Sequence, residues 1–458
     1  MNKERLLVIG ADAGGMSAAA QARRRRDPSE LEIVAFDRGN YTSWSACGLP
    51  YLVGDLVHDP DDLIARTPEQ FRASGIEVEL GHDVVAIDLS ARTLSVRGPD
   101  GLRTEPFDQL VVATGSVPRR PDLPGAHATG IHGIQTIGDG IELRAHVDAG
   151  ARKAVVVGGG YIGLEMAEAL HRRGLAVCVV EHSAQPMNTL DPDMGALVAD
   201  AIRGLGIELH SGVSVESFAT DADGHVTAVH TSQGVVDTDI VVLGLGVKPA
   251  TDLAAAAGLE IGATGGIVTD ARMATSADGV WAAGDCAEIF HRVSRRPVAI
   301  ALGTHANKEG RVVGVNATGG SLEFPGVIGT AVTKLCDYEI GRTGLTEREA
   351  AEAGFASMSE KIEATSRAGY YPGSSEITVK LVAELGTGRL LGAQVVGREG
   401  AAKRVDVLAA AIWNEMTAHE FSQVDLGYAP PFSPVWDPVL VAARQIVNQV
   451  DRSNQSRG

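Results

Sequence analysis

Two glycine-rich stretches carry residue types that could do chemistry. Gly10-Ala-Asp-Ala13-Gly14-Gly15 follows the apolar run 5–9, and Gly158-Gly-Gly160-Tyr161-Ile-Gly163 follows the apolar run 154–157. Each leads into a helical stretch and then a second apolar run, closed by Asp37 in one case and by Glu181 in the other. In such a turn the first glycine permits a tight bend, the second lets the backbone approach a pyrophosphate, and the third lets helix pack closely on strand. The pyrophosphate meets the free N–H groups of the helix N-terminus, and the acid accepts hydrogen bonds from a ribose. Two fingerprints predict two dinucleotides. The second copy fits at every position. The first has Asp12 where the middle glycine belongs, and a carboxylate beside a pyrophosphate is costly unless its side chain turns away.

The elements that must position these turns are legible in the pattern. Strand 5–9, helix 16–26 and strand 31–36 make the first unit; strand 154–157, helix 164–173 and strand 176–180 make the second. Leu110-Val-Val-Ala-Thr114-Gly115 and Gly279-Val-Trp-Ala-Ala-Gly284-Asp285 each read as a strand ending in a small-residue turn. Asp285 suits a polyol there, or the cap of a helix beginning nearby. Because this segment lies beyond the second fingerprint, the first domain is predicted to be discontinuous. After about residue 323, strands 377–382 and 390–396 precede a helix over 401–415 and a proline-rich stretch, which reads as an α+β domain. Residues 452–458 read as a frayed end.

Composition bounds the function. The 458 residues predict two to four domains at about 100–200 residues each. The formal charge of −18 argues against phosphate backbones and anionic membranes as partners. Hydrophobic residues at 44% make an ordinary globular mixture, and 55 glycines imply many tight turns. The start of the chain leaves no room for a signal peptide, and no apolar run is long enough to span a bilayer, so a cytoplasmic protein is expected. Cys47, Cys178, Cys286 and Cys336 show no CxxC or CxxH spacing, so neither a disulfide framework nor a metal site is expected. Cys178 and Cys336 lie in strand-like contexts, and Cys286 follows the Gly284-Asp285 turn.

Cys47 lies in Tyr41-Thr-Ser43-Trp-Ser-Ala-Cys47-Gly-Leu-Pro-Tyr51, just past Asp37. With the two fingerprints, the Ala113-Thr114-Gly115 turn and the Ala283-Gly284-Asp285 motif, the chain resembles the flavoprotein disulfide reductase family over essentially its whole length. Many members pair two cysteines as Cys-x4-Cys. Thr42 stands at the first of those positions, and Ser43-x-x-x-Cys47-Gly-Leu-Pro-Tyr51 is similar to the single-cysteine branch. That branch holds coenzyme A disulfide reductases, NADH oxidases, NADH peroxidases and persulfide reductases. With one thiol, the stored oxidised form must be a mixed disulfide or a sulfenic acid. A helix N-terminus or a polarised flavin would favour the Cys47 thiolate.

The resemblance implies roles residue by residue. Oxidases and peroxidases of the branch carry a His where this chain has Ala13, and losing that proton donor favours the coenzyme A disulfide reductases. Tyr370-Tyr371-Pro-Gly373 and Tyr428-Ala-Pro-Pro431 resemble motifs whose tyrosines reach a partner subunit's sulfur, which implies catalytic roles for Tyr370 and Tyr428 beside Cys47 and Ser43. FAD contacts are implied at Gly10, Ala13, Gly14, Gly15, Asp37, Thr114, Gly115, Gly284 and Asp285. Nicotinamide contacts are implied at Gly158, Gly160, Tyr161, Gly163, Glu165 and Glu181, with Gly246 also among the cofactor-binding positions. Tyr161 would gate the ring. Glu165 would meet the amide, or else complement the helix dipole. Glu181 favours NADH, with NADPH as the alternative. Arg23, Arg24, His305 and Asn307 are the substrate candidates. The basic run 23–26 reads equally as a solvated helix face. Ala46 and Gln70 stand where the branch often has Asn and Lys. No Cys follows Cys336, so the rhodanese domain that persulfide reductases usually add is not expected.

These residues predict an α/β fold of two doubly wound Rossmann-like domains plus a C-terminal α+β dimerisation domain. The expected boundaries are 1–118 with 246–322 for FAD, 119–245 for NAD(P)H and 323–458 for the interface. The expected activity is FAD-dependent reduction of a small disulfide, coenzyme A disulfide foremost, by NAD(P)H through Cys47, in a homodimer. An NADH oxidase, a persulfide or polysulfide reductase, and a redox sensor donating electrons to a protein are the rivals.

Overall fold

The computed structural model describes residues 3–455. Strands Val280–Ala282, Gln109–Val112, Glu4–Ile9, Leu31–Asp37 and Glu77–Leu80 form, in that order, a wholly parallel sheet. A second parallel sheet runs Glu208–Ser211, Ala176–Glu181, Lys153–Val157, Ile240–Leu243, Ile131–Gly133. Central strands of such sheets are covered on both faces, which is why they read as unbroken apolar runs. An antiparallel ribbon of Ser116–Pro118 and Val247–Pro249 carries the chain out of the first sheet and back. Segment 280–282 then completes the first sheet, so the first unit is discontinuous in sequence.

The C-terminal part is an antiparallel sheet ordered Ala331–Leu335, Tyr338–Gly344, Leu390–Gly397, Glu376–Glu384, Ser357–Thr365. Helices Ala401–Trp413 and Pro438–Gln455 accompany it. No helix among the described residues is long and apolar enough to cross a membrane.

Several local expectations are corrected. The first helix spans Ala13–Arg25 and its counterpart Tyr161–Arg172, each beginning three residues earlier than expected. Glycines are poor helix formers, yet Gly14, Gly15 and Gly163 sit inside the first turns because contact demands it. A Cβ on Gly15 would lie 2.0 Å from Gly10 O, and one on Gly163 would lie 1.9 Å from Gly158 O. No helix follows Asp285; strand Ala287–His291 does. Cys336 lies in the turn between two strands, with φ of 51°, and not inside a strand. The helix over 401–415 stops at Trp413, and Glu415 adopts a left-handed φ of 55°. The chain end expected to fray is helical to Gln455, anchored by buried Val439, Ala442, Ala443 and Ile446; residues 456–458 lie outside the described residues.

One apolar core decides where Cys47 goes. Leu49, Leu52, Val53 and Leu63, which flank it, pack with Ile137, Leu164, Met166 and Ala167 of the second unit and with Leu335, Ile340 and Val396 of the C-terminal sheet. Burying each such side chain is worth about 1.5–3 kcal/mol. The cysteine segment, encoded in the first unit, is therefore held against the other two.

Candidate active site

Cys47 sits in a single 3-10 turn, Ala46–Gly48, that runs directly into helix Leu49–Val53. Gly48 lets the turn pack on Leu63, whose Cδ2 would lie 2.2 Å from a Cβ there and would have to move aside. The Cys47 side chain is exposed. The other cysteines are placed differently: Cys178 and Cys286 are buried, and Cys336 is half-buried. Burial pushes Cys178 up to about 12. Cys286 Sγ lies 3.5 Å from both Val112 O and Ala283 O. Cys47 is thus the one exposed thiol among the described residues.

The loop before Cys47 is fastened to the first glycine-rich turn. Ala11 O accepts from Thr42 Oγ1 at 2.6 Å and from Ser43 N at 3.0 Å. Asp12 Oδ1 accepts from Trp44 N at 3.1 Å. Thr42 is buried, and Ser43 is half-buried with a left-handed φ of 48°. Glu165 lies close enough to the cysteine for its charge to act on the thiol. The thiol is pushed up, first by desolvation and then by the Glu165 carboxylate, with Asp285 adding to it. The short helix after Cys47 therefore does not by itself favour the thiolate.

Glu165 is also pushed up by burial, and the Thr333 hydroxyl donates to it at 2.8 Å. Three residues on, Glu168 accepts from Cys336 N at 2.9 Å and pairs with Lys334 Nζ at 3.2 Å. The C-terminal sheet thereby grips helix Tyr161–Arg172 at two acids. The sequence showed only Glu165; the i,i+3 repeat of Glu at 165 and 168 was the available signal. Tyr161 opens this helix, and burial pushes its phenol up.

The two glycine-rich turns share one internal bond pattern. Asp37 accepts from Ala11 N at 2.9 Å and from Gly39 N at 2.7 Å. Glu181 accepts from Gly159 N and from Ser183 N, both at 2.6 Å. Each acid therefore binds the residue after the first glycine of its own turn, and free lone pairs remain for a ribose. A Cβ on Gly10 or Gly158 would approach a facing carbonyl at 2.1 or 2.4 Å, so both positions need glycine. A Cβ on Gly14 would meet Ala283 O at 3.0 Å, where the 283–285 turn closes over the first helix. Gly284 N donates to Glu309 at 2.6 Å, and the Ser116 hydroxyl donates to Asp285 at 2.9 Å. Thr114 donates to Ala250 O at 2.7 Å, while Gly115 and Gly246 turn the chain with φ of 70° and 77°. Neither glycine-turn helix has a side-chain cap. No side chain caps the N–H groups of Gly14 and Gly15 or of Ile162 and Gly163, which fits dinucleotide phosphates at both turns.

The remaining candidates are spread out. Asn307 is exposed and accepts from Ser17 Oγ at 2.7 Å, where helix Gly303–Asn316 meets the first helix. His305 is buried in that helix, and desolvation lowers it to about 4. Arg23, at the other end of the first helix, donates to Arg26 O at 2.9 Å and Leu31 O at 2.7 Å. Its guanidinium ties the chain and is not displayed to an anion. Arg24 is exposed and reaches Gln21 at 3.3 Å. No metal was expected; His132, Glu142 and His146 nonetheless bring ligand-type atoms within 4.8 Å of one another, with the two imidazoles in mutual contact at 2.8 Å.

Tyr370 and Tyr428 are 78% and 48% exposed, and the Tyr428 phenol is pushed up by desolvation and then by a hydrogen bond with Tyr370. The groups that press on the Cys47 thiol include neither tyrosine. Buried Arg404 holds the two tyrosine loops together: Nη2 donates to Ser366 O at 2.9 Å and Phe432 O at 3.3 Å, and Nε reaches Asp437 at 3.1 Å. An arginine within the apolar run 401–413 was the sequence signal for this residue.

Comparison with known proteins places the chain. Residues 4–310 match the pyridine nucleotide-disulphide oxidoreductase family, and residues 330–438 match its dimerisation domain. An NAD(P)H coenzyme A polysulfide/persulfide reductase of Pyrococcus horikoshii is 36% identical, covering 96% of this chain and 98% of its own. An NADH oxidase of Methanocaldococcus jannaschii is 33% identical over 97% and 99%. A coenzyme A disulfide reductase of Staphylococcus epidermidis is 28% identical over 94% and 97%. The solved structure of an NAD-dependent persulfide reductase from A. fulgidus superposes with a TM-score of 0.94 at 37% identity, covering 98% of this chain and 84% of that one. The chain belongs to the pyridine nucleotide-disulphide oxidoreductase family, whose members use FAD and NAD(P)H, and it is an FAD-dependent NAD(P)H oxidoreductase of that kind.

Proposed function

From that membership as premise, we propose that this protein reduces a small disulfide, coenzyme A disulfide foremost, with NADH through Cys47 alone. One observation carries the reading: a single exposed thiol sits between the first glycine-rich turn and Glu165 of the second unit. FAD, held by the first turn, Asp37, Thr114, Gly115 and the Gly284-Asp285 turn, supplies electron transfer between nicotinamide and sulfur. The nucleotide is held by the second turn with Tyr161, Glu165 and Glu181. As an anion, Glu181 favours a free 2′-hydroxyl over a 2′-phosphate.

Cys47 attacks the disulfide, releases one thiol and keeps the other as a mixed disulfide. Two electrons and two protons, a hydride's worth from NAD(P)H plus one proton from solvent, then release the second thiol and restore the Cys47 thiol. The balance is NAD(P)H, one proton and one disulfide to NAD(P)+ and two thiols. Desolvation, then the charges of Glu165 and Asp285, disfavours the Cys47 thiolate, so its attack calls for proton removal. Ser17, Asn307 and Arg24 offer polar contacts to a nucleotide-bearing thiol. Tyr370 and Tyr428, adjacent and exposed, serve a second subunit's sulfur, which makes the working unit a homodimer. The FAD unit comprises 1–118 and 246–322, the NAD(P)H unit 119–245 and the interface unit 323–458, in a cytoplasmic protein.

A second reading is persulfide reduction by the same thiol, favoured by the higher identity of the Pyrococcus relative, 36% against 28% for the staphylococcal one. Anaerobic NADH consumption by the FAD-loaded protein tests both. Turnover on coenzyme A disulfide that vanishes in Cys47→Ser supports the first. Turnover on a small persulfide alone supports the second. Turnover that survives Cys47→Ser overturns both.

A further inference from the structure

Asp12 occupies the N-cap of the first helix, a position where aspartate ordinarily accepts from the next turn's amides. It makes no such bond. Its carboxylate reaches across 32 residues of sequence to the Trp44 amide at 3.1 Å. Trp44 pairs with Ile64, Ser45 N donates to Leu63 O at 2.8 Å, and Ala65 N donates to Ser43 O at 2.8 Å. The segment three residues ahead of Cys47 is thus a small ribbon with Asp12 as the anchor of its outer strand. The carboxylate is half-buried and faces Asp37 from the second strand and Asp285 from the 283–285 turn, which push it up to about 6 after desolvation, against the lowering amides of Trp44 and Ala13. Here Asp12 stands where a glycine is expected, leaves the Gly14 and Gly15 amides uncapped, and satisfies an amide of the cysteine loop.

We propose that Asp12 is a positioning residue for Cys47, clamping the Trp44 amide so that the cysteine loop keeps a fixed place at the end of the first glycine-rich turn. This rests on Cys47 being the redox residue. The clamp is a charge-assisted hydrogen bond, stronger than a neutral one. An asparagine keeps the accepting oxygen without the charge, and alanine removes both.

The test is the rate at which iodoacetamide alkylates Cys47 in the FAD-loaded protein, read by mass spectrometry of its peptide across pH 5–9, beside FAD content, melting temperature and turnover. Asp12→Ala is expected to speed alkylation at pH 7.5 about fivefold or more and to slow turnover, with FAD content unchanged. Asp12→Asn is expected to stay within about twofold of the wild type at pH 7.5. The wild-type profile, divided by thiolate fraction, is expected to bend near pH 6, and the Asp12→Asn profile to lack the bend. The clamp is overturned by wild-type alkylation in Asp12→Ala, by equal effects of alanine and asparagine, or by loss of FAD as the primary change. A Cys47→Ser variant that keeps turnover would instead remove the underlying reading, so the two failures are separable.

Discussion

The hydroxyl of Thr333 donates to the carboxylate of Glu165 at 2.8 Å, joining the C-terminal sheet to the helix Tyr161–Arg172. Burial raises Glu165 and this bond lowers it. Thr333→Val keeps the shape and removes the donor, leaving a buried acceptor unsatisfied at about 1–3 kcal/mol. Glu165 then ionises at still higher pH. The expected result is a loss of about three- to tenfold in kcat/KM for NADH, with the pH profile displaced upward. Steady-state kinetics at several pH values check it.

Glu309 tests the protein's pH linkage. Burial pushes it up to about 7, with the Gly284 amide opposing and Asp285 adding. A carboxyl raised in the folded state binds its proton better than in the unfolded chain, whose ordinary value is 4.5. Stability from this group is therefore full below 4.5 and is lost as pH rises through 7. Glu309→Gln keeps an acceptor for Gly284 and cannot ionise. The variant should be more stable than wild type at pH 8, by at most ~3 kcal/mol, and the gap should narrow to below about 1 kcal/mol at pH 5. Denaturant midpoints at the two pH values decide it.

Arg404 should matter more than its exposed neighbours. It holds the Ser366 and Phe432 carbonyls and pairs with Asp437. Arg404→Met leaves Asp437 without its cation, and breaking a buried pair this way costs about 3–5 kcal/mol. A lower melting temperature and faster proteolysis within 366–374 and 427–437 are expected. Unchanged proteolysis would remove the tethering role.

Glu181 ties its own turn, and under the proposed function its charge selects the nucleotide. Glu181→Gln keeps an oxygen for Gly159 N while removing the charge. The NADH/NADPH ratio of kcat/KM should fall about tenfold, mostly through better NADPH use. An unchanged ratio would show that the charge plays no part in discrimination.

Much of the site was legible along the chain, and what was legible is local. Each turn needs glycines at fixed offsets, an apolar strand before and an acid after, all within about 30 residues in a βαβ unit. Gly10 to Asp37 and Gly158 to Glu181 therefore announce themselves, and the motif around Cys47 singles out one thiol. Helix starts were missed where tertiary packing overrode propensity, as at Gly14 and Gly163. The sequence posed Asp12 as an anomaly, because its partner lies on another segment. Trp44, Thr333 with Glu165, Glu168 with Cys336, and Arg404 between two loops are long-range pairings that no local period encodes. By itself the chain determined which groups are present and which turns can hold phosphate. The tertiary structure decided which of those groups touch, because side-chain neighbours are fixed by how the sheets and helices bury their apolar faces.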